Sequence, residues 1–254
     1  MNNKLLLLIC VFLFLTSCSE KPLIFTSESF SAKDLPMCKD VMCPEVLIDY
    51  VMVNGDEEVS EKINHTITRT IINAIYIGEQ DASPAATTIP EAVTNFIKEY
   101  RLENAEFPAM AVEYFAEASM TKNRTTENVI SLQLDHYIFA GGAHGYGATQ
   151  YLNFDTQTGE ELEYDTLILD KTSFTALVEK KFKEAYKIPQ RSSINSKGFW
   201  FKEDQFYVPN NIGFTNDNLI FSYDEYEIAS YAEGRIFFEI PIKEIQQYLS
   251  INVD

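Results

Sequence analysis

Histidine is nearly missing from this chain of 254 residues: three occur, at positions 65, 136 and 144. A zinc site generally needs three or four ligands, and these residues are not spaced as a cluster, so neither a metal nor another cofactor is expected. The motifs of several enzyme classes are absent too. There is no His-Glu-x-x-His, no phosphate-cradling P-loop and no Gly-x-Ser-x-Gly elbow. Positive charge is also in short supply, with 20 Lys and Arg against 38 Asp and Glu and a net charge of −18. Such a chain repels nucleic acid and anionic lipid. It attracts cationic proteins or peptides, although an acidic surface that only keeps the protein soluble fits the balance equally well. No internal repeat and no low-complexity block occurs.

Only one apolar run is long, and it lies at the N-terminus. Lys4 precedes Leu5 to Leu15, which has the length of a signal-peptide core and is too short to span a bilayer comfortably. Leu15-Thr16-Ser17-Cys18 then reads as a lipobox. Residues 1–17 are expected to be removed, leaving Cys18 lipidated with diacylglycerol and an N-acyl chain such as palmitate. Several acyl chains meet the requirement for stable anchoring. The expected address is the cell envelope, with the membrane as a partner through Cys18. The membrane is the outer membrane, on its periplasmic or surface face, or the cell membrane. Processing takes Lys4 and no acidic residue, so the mature chain is more negative still.

Cysteine is also sparse, with four in all. Cys10 leaves with the signal and Cys18 carries lipid, so Cys38 and Cys43 remain. Their spacing permits a small bridged loop, and export to an oxidising compartment favours it. The loop is short, so the bridge adds only about 2 kcal/mol in the chain-entropy model. A two-cysteine metal site would lack further ligands nearby.

Hydrophobic periodicity orders the rest. Residues 18–36 are polar and aperiodic, as in a tether. Val46 to Val53 forms a strand ended by Asn54-Gly55-Asp56. Val59, Ile63, Ile67, Ile71 and Ile75 then place an apolar stripe on a helix, with His65 off the stripe. Pro90 suits the first turn of a second helix whose inner face is Val93, Phe96, Ile97 and Tyr100. Met110, Val112, Tyr114, Ala116 and Ala118 alternate as in a half-buried antiparallel strand, and Thr121 to Asn128 turns the chain. A partner strand carries Ile130, Leu132, Leu134, His136 and Ile138 on one face. Another strand covers Ala148 to Phe154, and a helix spans roughly Thr172 to Lys187. Phe199 to Val208 is expected to be extended. Leu219 to Tyr223 and Arg235 to Ile240 are strands, and Pro241 opens a terminal helix. The expected class is α+β, antiparallel sheets packed with helices in two linked subdomains, 37–127 and 128–254.

The chemistry-bearing stretch is Tyr137 to Gly147, where four glycines surround His144. His136 shares a face with Leu134 and Ile138 and reads as a core histidine. His144 has three open readings: a general base oriented by Asp135 or Asp155, a ligand contact, or a structural pin for the turn. Aromatics gather near the C-terminus in Phe221, Tyr223, Tyr226, Tyr231, Phe237 and Phe238. Such residues stack on sugars and anchor interfaces, but half-buried strands also use them routinely. The candidate ligand-binding residues are Tyr137, Gly142, His144, Tyr146, Tyr223 and Tyr226, and no catalytic residue is assigned.

Three motifs carry a family resemblance. Gly141-Gly142-Ala143-His144-Gly145, then Asn153-Phe154-Asp155 with Thr158-Gly159, then Phe221 to Ala229 ahead of Ile240-Pro241, together resemble the RsiV-like extracellular domain. That family is shared with the non-catalytic N-terminal region of the peptidoglycan deacetylase PdaC. The resemblance runs from about Cys43 to Leu249. It implies an envelope sensor or binding domain, since the outer domain of RsiV binds lysozyme. The Thr-Phe-Asp-Asp-Gly motif of polysaccharide deacetylases is absent here, so that activity does not carry over. The expected partner is a basic, lysozyme-like protein or cell-wall peptidoglycan. The alternative is a cell-wall hydrolase or deacetylase-associated enzyme using His144.

Overall fold

The computed structural model of the protein describes residues 21–78, 82–108 and 112–253. Cys18, the signal segment and Met110 therefore lie outside the described residues. The first part contains β1 (Ile24–Ser31), β2 (Glu45–Asn54), α1 (Glu57–Ala74), α2 (Ile89–Glu106), β3 (Phe115–Thr125), β4 (Val129–Phe139) and β5 (Tyr146–Asp155). These strands form one five-stranded sheet in the order β1-β2-β3-β4-β5. The second part contains α3 (Tyr164–Leu167), α4 (Lys171–Ala185), β6 (Ile212–Phe214), β7 (Asn218–Tyr223), β8 (Ile236–Pro241) and α5 (Ile242–Ile245). Its three strands make an antiparallel sheet in the order β6-β7-β8. The α+β class holds.

The larger sheet is mixed rather than wholly antiparallel. β2 and β3 run parallel, with Glu45 opposite Phe115, while the other pairs are antiparallel. Parallel neighbours need a crossover, and α1 with α2 supplies it. Asp56 caps α1 by accepting from the Val59 N–H at 3.2 Å, and Glu57 and Glu58 fill its first turn, where negative charge suits the helix dipole. Its stripe of Ile63, Ile67 and Ile71 is wholly buried, each side chain worth roughly 1.5–3 kcal/mol of burial. α2 starts with a capping box, in which Thr88 and Glu91 each accept from the other's backbone N–H and Pro90 sits inside the first turn. Val93, Phe96 and Ile97 complete the core beneath the sheet.

The second core is aromatic. Phe182 on α4 meets the rings of Phe199, Phe201, Phe206, Tyr223 and Phe238 with centroids 5.0–6.1 Å apart. This hub overturns the extended reading of 199–208. The segment is irregular, with a short 3-10 turn at Lys202–Asp204, because its rings must converge on one point. Asn195 pins it by accepting from the Phe201 N–H at 2.7 Å and donating to the Phe201 carbonyl at 2.9 Å.

Three further expectations need correcting. Residues 24–31, read as tether, form the edge strand β1, paired with β2 from Ile24–Asn54 to Ser31–Leu47. The subdomain boundary does not fall at 127/128. β4 and β5 belong to the first sheet, and the second core begins near Leu167 apart from Val129. Finally, β3 continues to Thr125 where a turn was expected. Its polar tail is held from outside: Lys122 lies 4.4 Å over the Phe25 ring, and Arg124 donates to the carbonyls of Thr215, Asn216 and Val253. Cys38 and Cys43 are disulfide-bonded.

Hydrogen bonds from the β4 and β5 region join the two sheets. Asn211 accepts from the Tyr151 N–H at 2.9 Å and donates to the Thr149 carbonyl at 2.5 Å. Asn153 accepts from the Ser131 hydroxyl at 2.7 Å and donates to the Ile212 carbonyl at 2.8 Å. Ser131 in turn accepts from the Phe214 N–H at 3.0 Å. Gly213 permits this approach, since a Cβ there would stand 2.2 Å from the Tyr151 ring.

Candidate functional site

β4 and β5 end together, with Ile138 opposite Tyr146, and residues 140–145 close the hairpin. Gly141 and Gly142 both take positive φ, +88° and +86°, which glycine adopts without strain. Gly145 allows another close approach, because a Cβ there would meet the Tyr137 hydroxyl at 2.3 Å. Tyr137 thus lies over the loop, with its ring tilted against Phe115 at 6.2 Å.

Across from this hairpin runs the segment that joins β7 to β8. Tyr231 stacks on the His144 imidazole at 4.7 Å with planes 24° apart, and on Tyr226 at 5.4 Å with the same interplanar angle. The result is a three-ring column built from both sheets. Its members are open to solvent: Tyr226 is 56% exposed and Tyr231 38%, with Tyr146 at 45% and Tyr137 at 41% nearby. His144 keeps one ring nitrogen, Nδ1, 3.0 Å from the Gly145 carbonyl.

The surroundings are acidic. Burial pushes the Tyr146 hydroxyl up from its ordinary pKa, and the charges of Asp224, Glu225 and Glu227 push the same way. Burial also raises the Asp224 carboxyl, with Glu227 adding to the rise and Arg235 opposing it. Glu227 is the organising acid. It accepts from the Asp224 N–H at 2.8 Å and from the Tyr207 hydroxyl at 2.8 Å, while its carbonyl accepts from the Trp200 indole at 3.2 Å. Tyr207 is accordingly held protonated, by burial first and then by that hydrogen bond.

Of the residues singled out from sequence, Tyr137, Gly142, His144, Tyr146 and Tyr226 come together at this junction. Tyr223 does not. It is fully buried and donates to the Tyr207 carbonyl at 2.5 Å, so it supports the segment and cannot touch a ligand; a strand face pointing into the aromatic core explains the difference. Tyr231, Trp200 and Tyr207 were missed as parts of the site. Tyr231 stood in the aromatic list, but its partner across the fold left no local signal.

The geometry removes both orienting acids from His144. Asp135 is committed to Thr149, to Gln133 at 2.6 Å and to Arg235 at 3.6 Å. Asp155 caps its own turn, accepting from the Gln157 and Thr158 N–H groups at 2.9 Å. It also sits at the far end of β5, about 30 Å from the loop at strand rise. Among the described residues no hydrogen bond joins His144 to a carboxylate. Among the same residues no three His, Cys, Asp or Glu side chains group closely enough to hold a metal. His136 is buried as expected, but its Nδ1 has no hydrogen-bond partner among the described residues.

Fold and site together define an α+β module of two stitched sheets, with an exposed aromatic-and-acid patch where loops of both sheets meet. Residues 38–146 match the family described as deacetylase PdaC, and residues 167–243 match DUF3298, a family of unknown function. The chain thus carries a PdaC-like region followed by a DUF3298-like one, and the first agrees with the PdaC resemblance read from the sequence. A crystal structure of a DUF3298 family member from Bacteroides fragilis is similar to it, with TM-score 0.68 at 20% identity over 92% of this chain and 96% of that one. A DUF3298 family protein from Pseudomonas aeruginosa PAO1 is similar with TM-score 0.56 at 14% identity, over 91% and 94%. Both likenesses concern the fold. No curated protein matches the chain.

Proposed function

We propose that this chain is a lipid-anchored recognition domain of the bacterial envelope that binds a basic, lysozyme-like protein at the junction of the 140–145 loop and the 224–234 segment. The observation that carries the reading is the column His144–Tyr231–Tyr226, exposed and flanked by Asp224, Glu225 and Glu227. Exposed tyrosines give large, rigid contact area at interfaces, and acidic flanks steer a cationic partner to them. The lipobox at Cys18 supports an envelope address, and the net charge of −18 supports the sign of the partner. Nothing in the arrangement around His144 favours turnover.

Calorimetric titration with lysozyme tests the proposal. Binding is expected near 20 mM salt and should weaken clearly by about 150 mM, as screening shortens the reach of charge. Tyr226→Ala with Tyr231→Ala should weaken it at least about tenfold. Absence of binding at low salt overturns the lysozyme reading. The stacked rings favour a second partner, cell-wall glycan, and peptidoglycan pull-down with the same variants separates the two.

A further inference from the structure

A concavity lies along β5, away from the aromatic column. It has a volume of about 350 Å³ and is lined by Tyr151, Tyr164, Glu161, Glu163, Asn210 and Ile212 among others. It opens between the 161–165 segment and the start of the smaller sheet. Tyr146 and Tyr151 are five residues apart on one strand, which places it roughly 16 Å from the proposed partner face.

Four of its polar groups are uncommitted. Among the described residues, the Tyr151 and Tyr164 hydroxyls, the Asn210 amide and the Glu161 carboxyl take part in no hydrogen bond or ion pair. The stitches between the sheets use other atoms: the Tyr151 backbone N–H, the side chain of Asn211 and both ends of the Asn153 amide. The base of the Tyr151 side chain packs against Gly213, where a Cβ would overlap its Cδ1, Cγ and Cβ atoms. Leu162 and Ile212 supply an apolar floor.

Among the described residues no cation pairs with Glu161. The residue reaches solvent, yet neighbouring chain shields its carboxyl enough to raise its pKa, and Glu163 raises it further. Two cations stand near: Lys171 pairs with Asp165 at 2.5 Å and lies 5.9 Å over the Tyr164 ring, and Arg235, whose charge reaches the Tyr151 hydroxyl, sits 3.6 Å from Asp135. The three carboxyls along the cleft, Glu161, Glu163 and Asp165, disfavour an anion and favour a cationic ligand.

We propose that this cleft binds an amino sugar, its ammonium on Glu161, its C–H face on Tyr151, and its hydroxyls on Tyr164 and Asn210. Tyrosine faces stack on the apolar faces of saturated rings, and a few convergent polar groups over an apolar floor are the usual make-up of a small-ligand site. The volume suits one or two sugar rings. The proposal does not depend on the protein partner, since none of these groups belongs to the aromatic column.

NMR titration of the full mature protein with glucosamine, N-acetylglucosamine and cyclohexylamine tests it. Glucosamine should produce saturable shifts at the amides of Tyr151, Glu161 and Asn210. Acetylation, which removes the charge, should weaken binding at least about tenfold, as should Glu161→Gln. Because the Glu161 carboxyl has no partner, Glu161→Gln should keep or raise the melting temperature while losing the ligand. Asn210→Ala, on an exposed loop, should weaken glucosamine without touching cyclohexylamine. Unsaturable shifts, equal binding of the acetylated sugar, or glucosamine binding undiminished in Glu161→Gln would each overturn the assignment. Equal affinity for cyclohexylamine would overturn its sugar part.

Discussion

His136 shows how much one buried side chain can set. Its imidazole is 8% exposed, packs 6.1 Å from the Tyr146 ring and leaves Nδ1 unpartnered. Burial holds its pKa below the ordinary value, and Asp135 offsets only part of this. The unfolded chain takes up a proton near pH 6.5 that the folded chain refuses. The unfolded state therefore binds more protons in that range, so stability is complete above it and falls as the pH drops through it toward the folded value. The melting temperature should decline between pH 7 and 5, and decline less in His136→Phe; parallel curves for the two proteins would reject this origin. Gly159 makes a similar point about backbone. Its φ is +69°, and a Cβ there would come 2.7 Å from the Val59 carbonyl, so Gly159→Ala should cost about 2 kcal/mol or more in urea unfolding.

The elements divide by how local their causes are. α1 and α2 were legible because Ile63, Ile67 and Ile71 repeat at helical spacing and because Thr88, Pro90 and Glu91 sit where a helix start wants them. β4 was legible for the same kind of reason, with its apolar residues on one face. β1 was not, since only Phe25, Phe30 and Ser31 of its eight residues are even partly covered, and an edge strand carries no alternation to read. Likewise 199–208 has a strand's composition, but its rings obey Phe182, a residue of another element. In the site, the glycine loop and His144 announced themselves, whereas the stacking of Tyr231 on His144 exists only once two sheets are joined. The family motifs gain a new meaning here. Asn153 is no ligand residue; it is 3% exposed and holds Ser131 of β4 to Ile212 of β6. Asn153→Ala should cost about 1–3 kcal/mol in urea unfolding. Ser131→Ala combined with it should cost less than the sum of the two, because they share one bond.

At the scale of the whole molecule, the end of the larger sheet where β1 begins also holds Asn54, Thr125, Val129 and Asp155, and the opposite end holds Glu45, Phe115, Phe139 and Tyr146. Removing residues 21–31 should lower the melting temperature by about 5 °C or more and promote aggregation, because the edge of β2 would be laid bare. A mere tether would be lost without effect. The strand also shortens the mooring line. Between Cys18 and Ile24 stand only Ser19, Glu20, Lys21, Pro22 and Leu23, a reach of no more than about 22 Å. Moored at Cys18 as proposed, the protein is held with the Ile24 end of its sheet close to the bilayer rather than drifting above it. Its ring column then sits at the other end of the sheet, a full strand length from the anchored edge.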